Sequence, residues 1–252
     1  MNNHKNINFS VSINNHPISN QNSLKYLGVI FDDKLNWKPQ IEKLATQVSK
    51  SCGMLFKLKH DTNISVLKSV YFALFLFHYT YSILYWGRAN KTTLLPLIGF
   101  QNKAVRMLEY NKTETTILFS NHKILEIPGL FQLSIAKFMY SFYNGGLPNH
   151  FDNYFSEIAS VHKYQTRLAS PQKYYLPRMK TSLGQLSVKY IGPKIWSNIP
   201  GKWKSSSPYS FGKKYKKSPA ILSDFLLIFA LYACHILFDL RFIFLSHSVI
   251  LR

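Results

Sequence analysis

KYLGVIFDDKLNW, residues 25–37, is where this chain changes its period. The first part is a short apolar run over residues 24–31, the length and composition of a strand. It ends in Asp32 and Asp33, a basic turn at Lys34, and Trp37. Upstream, residues 9–13 alternate: Phe9, Val11 and Ile13 on one face, Ser10 and Ser12 on the other. Asn14-Asn15-His16-Pro17 is a turn cluster, so the two strands are expected to form a small sheet. Two strands alone are marginal in water, so further partners are expected.

Downstream of Trp37 the spacing becomes helical. Pro39 suits a first helical turn, and Ile41, Leu44, Ala45, Val48, Cys52 and Leu55 form a stripe. Residues 61–63 break it. A second helix is expected over residues 65–84, apolar nearly all round and so buried on most sides. A third is expected over residues 92–110, with Leu95, Ile98, Gln101, Val105 and Leu108 inward, and a fourth over 131–143. Gly145-Gly146 reads as a helix stop. Successive amphipathic helices with short joints predict a bundle. The fold class is therefore mainly α with a small β element.

Beyond residue 162 the periodicity fades and prolines recur at 171, 177, 193, 200, 208 and 219. Between residues 163 and 217 stand 13 Lys or Arg and no Asp or Glu, within a chain of formal net charge +20. Such a field attracts polyanions, with RNA or DNA phosphate the usual partner. Lys outnumbers Arg 25 to 6, which suits point contacts to phosphate more than bidentate base reading. Tyr164, Tyr174, Tyr175, Tyr190, Trp196 and Trp203 interleave with these cations. Charge beside stacking faces suits single-stranded nucleic acid, whereas Trp196 is expected as a core anchor.

The last stretch, residues 220–252, shifts composition again. Residues 225–238, FLLIFALYACHILF, are apolar apart from His235, but Asp239 and Arg241 interrupt any longer span. A membrane helix needs about 20 apolar residues, so residues 225–245 are a candidate membrane contact rather than a secure span. An apolar C-terminal helix is expected there. Cys52 and Cys234 are far apart and form no zinc knuckle, which points to a reducing compartment. Asn63 and Asn111 open glycosylation triplets, but the polar N-terminus carries no secretory apolar region. An intracellular location is expected, nucleus or cytoplasm, with the membrane as alternative; in that alternative the chain is a membrane-anchored basic protein with a C-terminal transmembrane helix. Nine histidines are scattered without metal-ligand spacing, and His78 reads as a hydrogen-bonded core residue.

Several of these residues fall in a familiar order. Tyr26, Leu27, Gly28, Val29, Asp32, Leu35 and Trp37 are followed by Gly53-Met54-Leu55, then Leu67, Tyr71, Tyr81, Trp86 and Gly87, then Leu94, Leu97, Gln101 and Arg106. Further on come His162, Thr166-Arg167, Gly184, Ser187, Tyr190, Gly192-Pro193, Trp196, Asn198, Pro200 and Phe211-Gly212-Lys213-Lys214. Over roughly residues 7–218 this order resembles the downstream part of reverse transcriptases from non-LTR (LINE-like or jockey-like) retrotransposons. Gln40 stands where the family has a His, and Ser197 splits the usual Trp-Asn pair.

The resemblance implies an end of palm over residues 1–37, a helical thumb-like bundle over 38–155, an irregular basic linker-like region over 156–219, and an apolar tail over 220–252. It implies an RNA-directed DNA polymerase fragment that starts after the active site and grips template–primer. Phosphate contacts are expected from Lys50, Lys57, Arg106, Arg167, Lys180, Lys189, Lys213 and Lys214. No catalytic residue, metal ligand, small-molecule substrate or cofactor is expected in the chain. The family's Mg²⁺ ions belong to paired aspartates in an upstream hairpin. Phe31-Asp32-Asp33 lacks the spacer of that hairpin and is expected to be a turn that caps the coming helix.

Overall fold

The computed structural model describes residues 11–18, 21–109, 114–161 and 173–218. In chain order these hold strands β1 (Val11–Ile13), β2 (His16–Ile18), β3 (Ser23–Tyr26) and β4 (Val29–Asp32). Helices α1 (Lys38–Leu58), α2 (Ile64–Tyr71), α3 (Phe77–Thr80), α4 (Ile83–Trp86) and α5 (Lys91–Met107) follow. Then come α6 (Thr115–His122), α7 (Ile127–Tyr143), α8 (Ile158–Val161), α9 (Ser182–Gln185), α10 (Val188–Ser197), α11 (Gly201–Lys204) and α12 (Pro208–Lys216). The protein is thus mainly helical behind a small β element, as its periodicity predicts. It divides into two compact units: Met1–Ser82 with Ala89–Thr115, and Ile83–Arg88 with Thr116–Arg252.

The first unit opens with two antiparallel hairpins, β1–β2 and β3–β4, rather than one sheet made of residues 9–13 and 24–31. The run 24–31 is bent in the middle because Leu27 (φ 45°) and Gly28 (φ 81°) form a two-residue loop between Tyr26 and Val29. Two positive φ angles in sequence make the turn whose twist matches a hairpin. Asn14 (φ 50°) and Asn15 (φ 66°) do the same between β1 and β2. The second hairpin is tied to α1 by the Ile30 amide, which donates to Gln40 Oε1 at 2.9 Å.

Helix α1 buries Ile41, Leu44, Val48, Cys52 and Leu55, the stripe expected of it, and packs along α5. On α5 the buried residues are Leu94, Leu97, Gln101, Ala104, Val105 and Met107, with Leu108 buried just beyond it; Gln101, Val105 and Leu108 are inward as expected, whereas Leu94 and Leu97 replace Leu95 (45% exposed) and Ile98. Both stripes have three- and four-residue spacing, so periodicity alone does not separate them. A buried hydrogen bond from Gln101 Nε2 to the Tyr71 hydroxyl, at 3.2 Å, accompanies the stripe that turns inward.

The single helix expected over 65–84 is broken twice. Residues Phe72–Leu76 form a π-helical turn, and Ser82 at φ 54° ends α3. Its buried residues, Leu67, Tyr71, Phe75 and Tyr79, recur every four positions. In a 3.6-residue helix such steps drift about 40° each, and a wider turn brings them back to one face. The Tyr71 and Phe75 rings stack at 5.1 Å. The outer side is not buried as expected, since Phe77 is 64% exposed.

The second unit is arranged on α7, which starts at Ile127 with Pro128 in its first turn, earlier than expected. It ends where Gly145 takes φ 66° and the Gly146 amide donates to the Ser141 carbonyl at 2.8 Å. α4 lies close against α7: a Cβ on Gly87 would come within 2.7 Å of the Phe131 ring. α10 approaches as closely, since a Cβ on Gly192 would meet Met139 Sδ at 2.7 Å. Trp196 and Phe211 are fully buried, and Phe211 stacks on Tyr140 at 4.5 Å. Trp196 is therefore the core anchor expected of it.

The basic stretch is more regular than an irregular linker. Its described part carries α9 to α12. Prolines that look like breakers serve as helix starters: Pro200 precedes α11 and Pro208 opens α12. Residues 162–172 and the tail 219–252, with the expected apolar helix and membrane contact at 225–245, lie outside the described residues. Among the described residues no helix is long and apolar enough to cross a membrane.

Candidate nucleic-acid interface

In the first unit, Lys43, Lys50 and Lys57 follow at seven-residue steps on α1, each step about 20° short of two full turns. They form a row some 21 Å long on the side opposite the buried stripe. Lys50 and Lys57 are exposed, while the Lys43 ammonium donates to the Gly28 carbonyl and helps fix the hairpin turn.

Arg106 lies elsewhere, on α5 where it faces the last turns of α1. With Lys59 and Lys103 it lines a groove of about 610 Å³, whose other walls include Phe56, Asn102 and Met107. Arg106 Nε donates to Thr115 Oγ1 at 2.9 Å, which orients the guanidinium. Lys59 and Lys103 were not among the expected contacts. The signal for them is slight: Lys59 sits at the end of the α1 stripe, and Lys103 precedes Arg106 by one helical turn. Behind the groove Cys52 is buried, its thiol donating to the Phe100 carbonyl at 3.7 Å. Burial pushes that thiol up, and the charge on Lys103 opposes the shift.

In the second unit, Lys180 is exposed just ahead of α9. Lys189 is exposed on α10, with its ammonium 5.6 Å above the Tyr154 ring, and lines a cavity of about 280 Å³ with Tyr154 and Tyr175. Lys213 and Lys214 point out from α12, while Phe211 and Tyr215 of the same helix point in. Arg167 lies outside the described residues. The seven described candidates thus divide between the units: Lys50, Lys57 and Arg106 in one; Lys180, Lys189, Lys213 and Lys214 in the other. Within the first unit, the row on α1 and the α1–α5 groove share no residue.

Among the described cations of the basic stretch, one is buried. Lys204 is 6% exposed, with its ammonium 4.7 Å above the Trp196 ring. Burial pulls its pKa down, with the charge on Lys173 adding to the effect. It contributes a cation–π contact to the core rather than a site for phosphate. Burial also pushes the Glu126 carboxyl up to about 7, and the Tyr174 hydroxyl up to about 12 with the Glu157 charge adding. Asn63, the described member of the glycosylation triplets, caps α2, its side-chain oxygen accepting from the Val66 amide at 3.0 Å.

The acid pair after Phe31 does not fit the family's two-metal clamp. Asp32 is 7% exposed, and its carboxylate oxygens accept from the Trp37 amide at 2.8 Å and the Asn36 amide at 2.9 Å. Both lone-pair sets face backbone, and the neighbouring Asp33 points to solvent. Asp32 organises the turn into α1, as expected, but does not cap the helix: its amide partners precede Lys38, and the N-cap residue Trp37 makes no side-chain cap bond. Among the described residues no group of three or more His, Cys, Asp or Glu could hold a metal ion. Compared with known protein families, with curated proteins and with solved structures, the chain matches none.

Proposed function

We propose that this chain is a nucleic-acid-gripping part of a reverse transcriptase of the non-LTR retrotransposon type, holding RNA and DNA by their phosphates. The observation that carries this reading is the placement of charge: all seven described candidate cations are exposed, in a protein with 31 Lys and Arg against 11 Asp and Glu. The motif residues are consistent with it as scaffold. Tyr71 bonds Gln101 in the core, Gly87 and Gly192 allow close helix approach, and Trp37, Trp86 and Trp196 are buried. In this reading the outer faces of α1 and α12 carry the contacts and the motifs set the shape beneath them.

The reading assigns grip, not phosphoryl transfer, to the chain. It is tested by titrating the full chain with RNA and with an RNA–DNA hybrid at 50 and 200 mM salt. Affinity is expected to fall at least tenfold between the two, because each phosphate contact releases a counterion. A flat salt dependence removes the phosphate contacts from the reading.

A further inference from the structure

We infer that the α1–α5 groove of the first unit binds one unpaired nucleotide of a single strand, its base on Phe56 and its phosphate between Lys103 and Arg106. This rests on the nucleic-acid reading above and narrows it to a place and a ligand class. Phe56 is a large aromatic left 56% exposed at the groove wall, with its ring met edge-on by His60 at 5.7 Å. An aromatic face held in this way is a stacking platform for any base. Lys103 and Arg106 stand three residues apart on α5, so their side chains rise side by side, at a spacing that can flank one phosphate. Lys59 adds a third cation across the groove, Asn102 offers a donor and an acceptor to a base edge, and no acid lines the walls.

The floor supports the same ligand class. Gly99 faces the groove, and a Cβ placed there meets nothing within 4 Å. The groove of about 610 Å³ is open to solvent rather than enclosed, so a strand can pass along it while one base lies on Phe56. A paired, stacked base has no free face to offer Phe56, so the groove selects unpaired nucleotides, unlike the convex lysine row of α1.

The test compares the full chain with its Gly99→Leu variant, which fills the groove without adding a stacking face, and its Phe56→Ala variant. The probes are a labelled 12-nucleotide oligouridylate and an RNA–DNA hybrid of equal length, read by fluorescence anisotropy. Both positions are open to solvent and Gly99 lies inside α5, so neither variant is expected to lower the thermal unfolding midpoint by more than a few degrees. Each variant is expected to bind the oligouridylate about tenfold more weakly, the loss of one stacked base, and the hybrid within twofold of the parent. Unchanged oligouridylate binding, or equal losses on both probes, overturns the groove assignment while the nucleic-acid reading stands. A parent chain that binds neither probe overturns both. If Gly99→Leu unfolds, Phe56→Ala alone decides, since that ring is mostly outside the core.

Discussion

Asp32 holds the entry to α1 with two backbone amides on one carboxylate. Asp32→Ala leaves those N–H groups without their acceptor and is expected to cost about 1–3 kcal/mol in urea unfolding. Asp33→Ala, one position on and exposed, should stay within about 0.5 kcal/mol. The structural role of this pair is legible from its spacing, whereas which acid carries it is not, because that depends on how the chain turns after β4. Glu126 makes a pH-dependent contribution. Its folded pKa, about 7, lies above the ordinary 4.5, because burial penalises the charged form. The unfolded chain therefore loses this proton first, and stability falls as pH rises from about 4.5 to about 7. Glu126→Gln should raise stability at pH 8 by about 1–2 kcal/mol, the shift discounted for partial water access, and change little at pH 4. Equal effects at the two pH values would exclude burial of the charge as the cause.

At the scale of elements, the β3–β4 turn carries a residue poorly suited to it. Leu27 has φ 45° and is 74% exposed, ahead of a glycine that already accepts positive φ. Leu27→Asn supplies the favoured Asn-Gly pair and is expected to raise the denaturation midpoint by the equivalent of about 0.5–1 kcal/mol. A lower midpoint would mean that the leucine packs better than its exposure suggests. The row on α1 is read through salt. Lys50→Gln with Lys57→Gln should leave stability unchanged and reduce the slope of log affinity against log salt by about 2, one per phosphate contact. An unchanged slope takes the row out of the interface. The existence and period of α1 are plain in the sequence. The π turn after Tyr71 is hidden there because a four-residue stripe still looks helical until its drift is followed over three steps.

Over the whole molecule the formal charge of +20 acts on any polyanion, and lysine dominates it. Grip through ammonium groups on phosphate carries no base information. Two unpaired RNAs of equal length and unrelated sequence are therefore expected to bind within threefold of one another in a competition titration. A preference above tenfold would require base contacts that the lysines do not make. The sequence by itself determined the mainly helical class, the small β element and the direction of the electrostatic field. These follow from local spacing and summed charge, which need no knowledge of distant partners. Only the tertiary structure decided that Leu94 and Leu97 of α5 turn inward rather than Leu95 and Ile98, that Lys204 lies under Trp196 instead of in solvent, and that Phe56, Lys103 and Arg106 share a groove. Each of these depends on packing between residues far apart in the chain, as between Tyr71 and Gln101 or Cys52 and Phe100, and such packing leaves no periodic trace in the sequence.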